Sequence, residues 1–234
     1  MSSRWAESAL SWWEEAGVDT IAGEAPRDWL APPKPGIATT AAPVEAAPPA
    51  PTEALPGDLP AFQAWLAATD AIPFASPMAR RAAPAGDPAA ALMAIVDLPT
   101  AAGALFADEA GALVDRMLAA IGQNRETIYL APFSPIRPPA GRIDKDGVDF
   151  LARAMRHHIG LVAPRALLIF GDSCSRALLG TTMTQARGRW HEVETPAGPI
   201  KAVVTIRPQE LLVQPKLKTH AWADLQLLME GLTS

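Results

Sequence analysis

From residue 91 onward, apolar and polar positions are arranged in blocks whose lengths match strands and helices. Short apolar runs at 91–96, 127–131, 166–170 and 200–205 predict strands. Longer stretches of mixed apolar and polar residues at 108–122, 146–161, 172–179 and 216–231 predict helices. Strands that alternate with helices indicate a parallel sheet covered on both faces. The predicted fold class is therefore α/β, a three-layer α/β/α domain with a four-stranded parallel sheet.

In such a fold, ligands bind beyond the carboxyl ends of the strands. Those ends are the segments "VDLPT" at 96–100, "APFSPIRPP" at 131–139, "GDSCS" at 171–175 and "IRPQELL" at 206–212. The second segment is stiffened by several prolines around one positive charge, Arg137. We expect all four segments to face a common crevice.

The first 60 residues follow a different pattern. Residues 1–30 predict a helix from about Ser3 to Ala16 in a segment rich in tryptophan, which includes Trp5, Trp12, Trp13 and Trp29. In residues 31–60, seventeen of thirty positions are Pro or Ala, a composition typical of an extended, semi-rigid linker. A globular domain is predicted for residues 61–234 and opens with a helix after Pro60. The tryptophan segment either docks back on this domain or binds a partner protein, and the sequence leaves both open.

Composition limits the classes of protein that this chain can be. Of its 234 residues, 49% are hydrophobic, so it can bury a substantial core. No run reaches the roughly 18 apolar residues of a membrane helix, and acidic residues interrupt the N-terminus where a signal peptide is apolar. We therefore expect a cytoplasmic protein without membrane association. The single cysteine, Cys174, excludes an internal disulfide, a cysteine-rich zinc site and a four-cysteine iron–sulfur cluster within the chain, so no metal or cofactor is expected.

Charge is distributed unevenly along the chain. Residues 1–85 hold 5 basic and 10 acidic side chains, whereas residues 86–234 hold 15 of each. Between Arg137 and Arg189 there are nine Lys or Arg against four Asp. Such a local excess attracts phosphate, although ordinary solvated helix faces explain it equally well.

Several blocks of the chain resemble one known family. The segments "GALVDRMLAAIGQNRETIYL", "RPP", "RHHIGLVAPRALLIFG", "ALLG", "RGRW", "RPQELLVQP" and "AWADLQLL" are similar, in order and in spacing, to the family 4 uracil-DNA glycosylases of bacteria. The resemblance covers most of residues 86–232. It implies an enzyme that flips uracil out of DNA and breaks its glycosidic bond by stabilising a uracil anion.

Two of the family's functional features fall in the loop after the first strand. The family pattern has a Gly-Glu-x-Pro-Gly loop followed by acidic residues, but here Asp97 replaces the Glu, Thr100 the last Gly, and only Pro99 is retained. The acidic stretch is missing, so we interpret Asp97 as a residue that caps or solvates a turn. Phe106 matches the aromatic residue that stacks on uracil, although a Phe at this place also suits the start of a helix.

The other two features are an Asn that reads the uracil edge and a His that stabilises its negative charge. Pro132 stands at the Asn position and has neither a side-chain amide nor an N–H group. Arg207 stands at the His position, and its forked cation suits a phosphate clamp or a structural ion pair better than a uracil carbonyl. The positions expected for the family's cluster cysteines carry Ile72, Ile136 and Leu151.

These departures predict a catalytically silent relative that binds DNA or a protein in DNA repair or replication. No residue is assigned a catalytic role, and Asp97, Pro132 and Arg207 are altered positions. Remnants of the base pocket are Pro99 and Phe106. A protein partner would bind through Trp5, Trp12 and Trp13. The candidates for DNA-phosphate contacts are Arg137, Arg142, Arg187, Arg189 and Arg207. The alternative is an active glycosylase that removes uracil or another damaged base with Asp97 and Arg207 in new roles.

Overall fold

The structure is a computed structural model that describes residues 54–72, 74–76 and 78–233. The helix expected near Ser3–Ala16, the tryptophan segment and residues 31–53 of the linker lie outside the described residues. All described residues belong to one compact unit, Glu53–Ser234.

A six-stranded sheet forms the centre of the domain. Its strands are β1 (Ala85–Gly86), β2 (Leu92–Val96), β3 (Tyr129–Pro132), β4 (Ala166–Phe170), β5 (His191–Val193) and β6 (Ile200–Thr205). They lie in the order β1-β3-β2-β4-β6-β5. The four central strands are parallel, while β1 and β5 pair antiparallel at the two edges.

The prediction of a four-stranded, all-parallel sheet was therefore wrong at the edges. The four predicted strands are all present and adjacent. The two additional strands are only two and three residues long, and both residues of β1 are exposed. An edge strand this short carries no apolar run, so the hydrophobic pattern did not reveal it.

The helices are α1 (Leu59–Ala68), α2 (Asp108–Ala120), α3 (Lys145–Val162), α4 (Asp172–Leu179), α5 (Met183–Ala186), α6 (Pro208–Val213) and α7 (Lys218–Thr233), with a 3-10 turn at Pro215–Leu217. Helices α2 and α7 share one core with alternate strand residues such as Ala94 and Leu168. Helices α3 and α4 share a second core with the intervening residues, such as Met93 and Ile169. The three predicted layers are thus present. Among the described residues, no helix combines the length and apolar character needed to cross a membrane.

Helix α1 packs on the outer side of α3. The Phe62 ring is buried and lies 4.9 Å from the ring of His158 and 5.4 Å from that of His157, measured between centroids. The Gln63 amide donates to the Tyr129 hydroxyl across 2.7 Å. A nitrogen of His157 also lies 2.7 Å from the carbonyl oxygen of Pro56. These contacts attach the first described residues to the helix layer.

The carboxyl ends of the central strands determine where functional groups lie. The N–H of Phe133 donates to the Val96 carbonyl across 2.7 Å, which extends the pairing of β3 with β2. Successive N–H groups of a strand point to opposite sides, so the nitrogen of Pro132 faces away from β2. On that side β1 pairs only with Tyr129 and Leu130. The proline therefore lies where no ladder hydrogen bond requires an N–H.

Candidate functional site

A cavity of about 310 Å³ opens beyond the carboxyl ends of β2, β4 and β6. It brings together five residues that the sequence analysis singled out, Asp97, Pro99, Phe106, Arg137 and Arg207. The rest of its lining is Val96, Leu98, Thr100, Phe170, Pro208 and Gln209. Phe170 is the last residue of β4, and Gln209 follows Pro208 at the start of α6. These positions, at a strand end and a helix start, are the signal in the sequence that could have identified both as residues of the site.

Asp97 is turned away from solvent and toward the start of α4. The residue is 2% exposed. One carboxylate oxygen accepts the N–H of Cys174 at 2.7 Å, and the other accepts the N–H of Ser173 at 3.2 Å. Backbone N–H groups in the first turn of a helix lack helical partners and favour a negative charge. Asp97 thus caps a helix that lies 75 residues further along the chain, rather than its own turn.

Gly171 makes this capping contact sterically feasible. Its φ angle is +106°, and a Cβ atom there would lie 2.2 Å from a carboxylate oxygen of Asp97. A side chain at this position would displace the carboxylate and would also strain the backbone. Gly171 belongs to the strand-end segment at 171–175, but the sequence alone does not reveal that it permits the close approach of Asp97.

Burial raises the pKa of the Asp97 carboxyl above its ordinary value of 3.8. The hydrogen bonds from Cys174 and Ser173 and the positive charge of Arg207 oppose that rise. Burial and the nearby Asp97 carboxylate together raise the pKa of the Cys174 thiol well above its usual range. Cys174 therefore stays a neutral thiol at physiological pH, as expected for a buried structural cysteine.

Arg207 lies near Asp97, on the other side of Gly171, and its guanidinium group binds Glu210. The Nε atom donates to Glu210 across 2.9 Å, and Nη2 donates to the same carboxylate oxygen. The side chain is 41% exposed, and the carboxylates of Asp97 and Asp172 also act on its charge. Of the two roles expected for Arg207, the structural ion pair is the one that matches these contacts.

Phe106 contributes its ring to the wall of the cavity, and Pro99 contributes its backbone carbonyl group. The Phe106 ring is 5% exposed and meets Phe170 edge-on, with 5.7 Å between ring centroids. The carbonyl oxygen of Pro99 accepts a hydrogen bond from Nη1 of Arg137 at 3.2 Å. This bond joins the β2–α2 loop to the β3–α3 loop across the mouth of the cavity.

A family model described as the uracil DNA glycosylase superfamily matches residues 83–226, which include the sheet and every residue of this cavity. The chain belongs to the uracil-DNA glycosylase superfamily. A curated relative, a type-4 uracil-DNA glycosylase of Archaeoglobus fulgidus, is 26% identical over 140 residues, which cover 55% of this chain and 68% of the relative. The family 4-like resemblance seen in the sequence is confirmed.

Pro132, at the position expected for the uracil-reading Asn, lies within the sheet. Pro132 is the last residue of β3, where it is buried opposite Val96 of β2. It does not line the cavity of about 310 Å³. A proline ring offers no hydrogen bond to a base edge.

The candidate DNA-phosphate residues differ in what they contact. Arg142 is an exposed side chain in the β3–α3 loop. Arg187 forms an ion pair with Asp224, whose side chain is fully buried, across 2.8 Å. Arg189 is exposed and donates to the backbone carbonyl of Gln185. Only Arg137 and Arg207 line the cavity.

The iron–sulfur cluster that the family 4 resemblance implies does not fit the residues found here. Ile72, Ile136 and Leu151 stand at the expected ligand positions, and each is a hydrocarbon side chain with only 1% exposure. A cluster needs thiolate ligands, and the chain has only the buried Cys174. Within the described part of the chain, no group of three or more His, Cys, Asp or Glu side chains is placed to hold a metal ion.

Proposed function

We propose that this protein is a catalytically silent member of the superfamily, whose glycosylase-like domain serves as a DNA-binding or protein-interaction module in DNA repair or replication. The observation that carries the proposal is the direction of the Asp97 carboxylate. Both of its oxygens accept hydrogen bonds from backbone N–H groups in the first turn of α4, which hold the carboxylate at the start of that helix.

The polar groups of the cavity support the same proposal. Stabilising a departing uracil anion requires donors aimed at the base oxygens. The guanidinium of Arg207 is bound to Glu210, and Pro132 provides no donor at all. The side chains of Thr100, Arg137 and Gln209 also line the cavity and can hydrogen-bond a bound group, but none of them stands at the positions where the family pattern has its Asn and His.

An active glycosylase is the second candidate, because the pocket itself is retained. Its volume of about 310 Å³ is large enough for a nucleobase, and Phe106 still lies in its wall. The pKa of the Asp97 carboxyl is raised by burial, as in many catalytic acids. In this alternative, Asp97 leaves the start of α4 when a lesion binds, and Arg207 leaves Glu210 to meet the base.

The test is incubation of the full-length protein with single- and double-stranded oligonucleotides that carry uracil, hypoxanthine or other damaged bases. The expected result is no strand breakage after alkali beyond that of an Asp97→Asn variant, while an active uracil-DNA glycosylase cleaves the same uracil substrates. Breakage by the native protein that is lost in both Asp97→Asn and Arg207→Gln would instead establish the enzyme.

A role in binding a protein is tested by deletion of residues 1–30. If the tryptophan segment binds the partner, proteins captured by the full chain are lost after the deletion. Capture that is unchanged by the deletion contradicts a partner site at Trp5, Trp12 and Trp13.

A further inference from the structure

A second concave surface, which we call the α2–α7 groove, lies on one outer face of the domain. Its volume is about 170 Å³. Its apolar wall is formed by Leu113, Met117, Leu211, Trp222 and Leu225. Leu211 belongs to α6, the short helix whose first residue, Pro208, lines the candidate site. The groove is thus near the candidate site in the chain but separate from it.

The groove leaves hydrophobic surface in contact with water. Trp222 is 41% exposed, and Val213, two residues after Leu211, is 80% exposed. Removing such surface from water is favourable by roughly 25 cal/mol per Å², and a partly exposed indole provides more of it than other side chains. A volume of about 170 Å³ accommodates one large apolar side chain, and it is too small for a folded element.

Two cations flank this apolar wall. Arg116 projects from α2 and Lys218 from the first turn of α7, and both are exposed. No carboxylate lines the groove. Among the described residues, neither cation forms a salt bridge, whereas Arg125 on the same side of the sheet is paired with Asp115. The two charges are therefore available to a ligand.

We propose that the α2–α7 groove binds an acidic peptide segment of a partner protein. One large apolar side chain of the segment inserts beside Trp222, and the neighbouring carboxylates meet Arg116 and Lys218. A protein surface that combines an aromatic anchor site with flanking cations fits a ligand that combines an apolar anchor with negative charge. This binding does not depend on whether the glycosylase site is active.

The same features argue against two other occupants. A second copy of the chain, paired through this groove about a twofold axis, brings the cations of one copy toward those of the other. A nucleic acid satisfies the cations and can stack one base on Trp222, but the rest of the wall, Leu113, Met117, Leu211 and Leu225, offers no hydrogen bond to base edges, sugars or phosphates.

The experiment uses the full-length protein and a fluorescein-labelled peptide with four acidic residues followed by leucine and phenylalanine. Fluorescence anisotropy is expected to show saturable binding that weakens with salt. Arg116→Glu combined with Lys218→Glu, and separately Trp222→Ala, are each expected to weaken binding at least about tenfold. The charge-matched control is Lys145→Glu combined with Arg153→Glu, which alters two exposed cations outside the groove and is expected to leave the affinity within about twofold.

Circular dichroism of each variant confirms that it is folded before its affinity is compared. Replacing the peptide's phenylalanine by serine, or its acidic residues by amides, is expected to abolish the binding. The proposal is overturned if no saturable binding is seen up to about 1 mM protein, or if the groove variants bind as tightly as the control. It is also overturned if the groove variants lose affinity only for a single-stranded oligonucleotide, because the cations then serve nucleic acid.

Discussion

At the scale of single residues, Asp97 shows that the position of an acidic side chain in a loop does not determine which groups it binds. The carboxylate follows β2 at the position of an acidic family residue, but its oxygens bind the backbone at Ser173 and Cys174. The sequence predicted that Asp97 caps or solvates a turn. It could not predict which helix is capped, because that depends on the close approach that Gly171 permits between the ends of β2 and β4.

Replacing Asp97 by Asn tests the energetic consequence of this contact. A carboxyl whose folded-state pKa is raised stabilises the fold fully below its unfolded pKa of 3.8, and this contribution is lost as pH rises through the folded pKa. The free energy of unfolding of the native protein should therefore rise relative to that of Asp97→Asn as pH falls from 7 toward 4. Urea denaturation at several pH values measures the difference.

The control for this experiment is Asp87→Asn. Asp87 is exposed and also accepts a backbone N–H, from Ala89 at 2.9 Å. A pH-dependent difference of the same size in Asp87→Asn, or none in Asp97→Asn, would contradict a buried Asp97 carboxyl.

At the scale of elements, the contact between α1 and α3 contains a buried titratable group that the sequence did not reveal. His158 is 1% exposed, and its Nε2 atom lies 2.9 Å from the Tyr129 hydroxyl. Within the part of the chain that the structure describes, its Nδ1 atom has no hydrogen-bond partner. Burial, with a smaller effect of His157, lowers the pKa of His158 from 6.5 to about 4.

Acid should therefore weaken the fold through His158. A histidine with a lowered folded-state pKa contributes stability that is present above its unfolded pKa of 6.5 and is lost as pH falls through about 4. The loss is expected to reach roughly 3 kcal/mol, and the variant His158→Phe should lack this part of the pH dependence. Chemical denaturation between pH 7 and pH 4 measures it.

The exposed residue His220 provides the matched control. A His220→Gln variant is expected to follow the pH dependence of the native protein. If His158→Phe follows it as well, the buried histidine is not the cause of acid destabilisation.

A second link between elements is the ion pair of Arg187 with Asp224, which ties the loop after α5 to α7. The buried Asp224 carboxylate also accepts the Gly188 N–H and the Thr205 hydroxyl. Removing the cation leaves a buried charge with two neutral donors, so Arg187→Ala should lower the free energy of unfolding by about 3 kcal/mol. Urea denaturation measures the loss.

The neighbouring variant Arg189→Ala removes an exposed cation and should change stability by less than about 0.5 kcal/mol. Equal stability of the two variants would contradict the structural role of Arg187. Any effect of Arg187 on DNA binding therefore has to be measured in a variant shown to be folded.

Buried helices and strands were predicted from the sequence more accurately than short or exposed ones. The central strands are continuous apolar runs because both of their faces are covered, and β4 was predicted with its observed bounds. The edge strands and the short helices α5 and α6 were not predicted, since each is too short for its periodicity to stand out from the surrounding loop residues. The strand ends predicted that Asp97 and Arg207 lie at one crevice, and the family resemblance placed Phe106 there, but neither predicted which partners these residues bind.

At the scale of the whole molecule, the salt dependence of oligonucleotide affinity tests whether the exposed arginines bind DNA. Arg137 and Arg142 are exposed in one loop near the cavity, while Arg187 and Arg207 already bind carboxylates. If these two loop arginines contact phosphates, oligonucleotide affinity should fall steeply with salt. The double variant Arg137→Gln/Arg142→Gln should reduce the slope of log affinity against log salt by roughly 2.

Fluorescence anisotropy with a labelled oligonucleotide at several salt concentrations measures this slope. The double variant Arg153→Gln/Arg176→Gln, in the helix layer of α3 and α4, is the control and is expected to keep the native slope. Absence of binding even at low salt would favour a function directed only at proteins.

The position of Pro132 allows the residue that the family resemblance predicts there to be tested directly. Because its nitrogen faces away from β2 and lies beyond the part of β3 that pairs with β1, exchanging proline and asparagine there breaks no sheet hydrogen bond. The amide that the family resemblance predicts at this position can thus be introduced without rebuilding the sheet around it. A Pro132→Asn variant, alone and together with Arg207→His, would show whether these two groups give the protein activity on uracil.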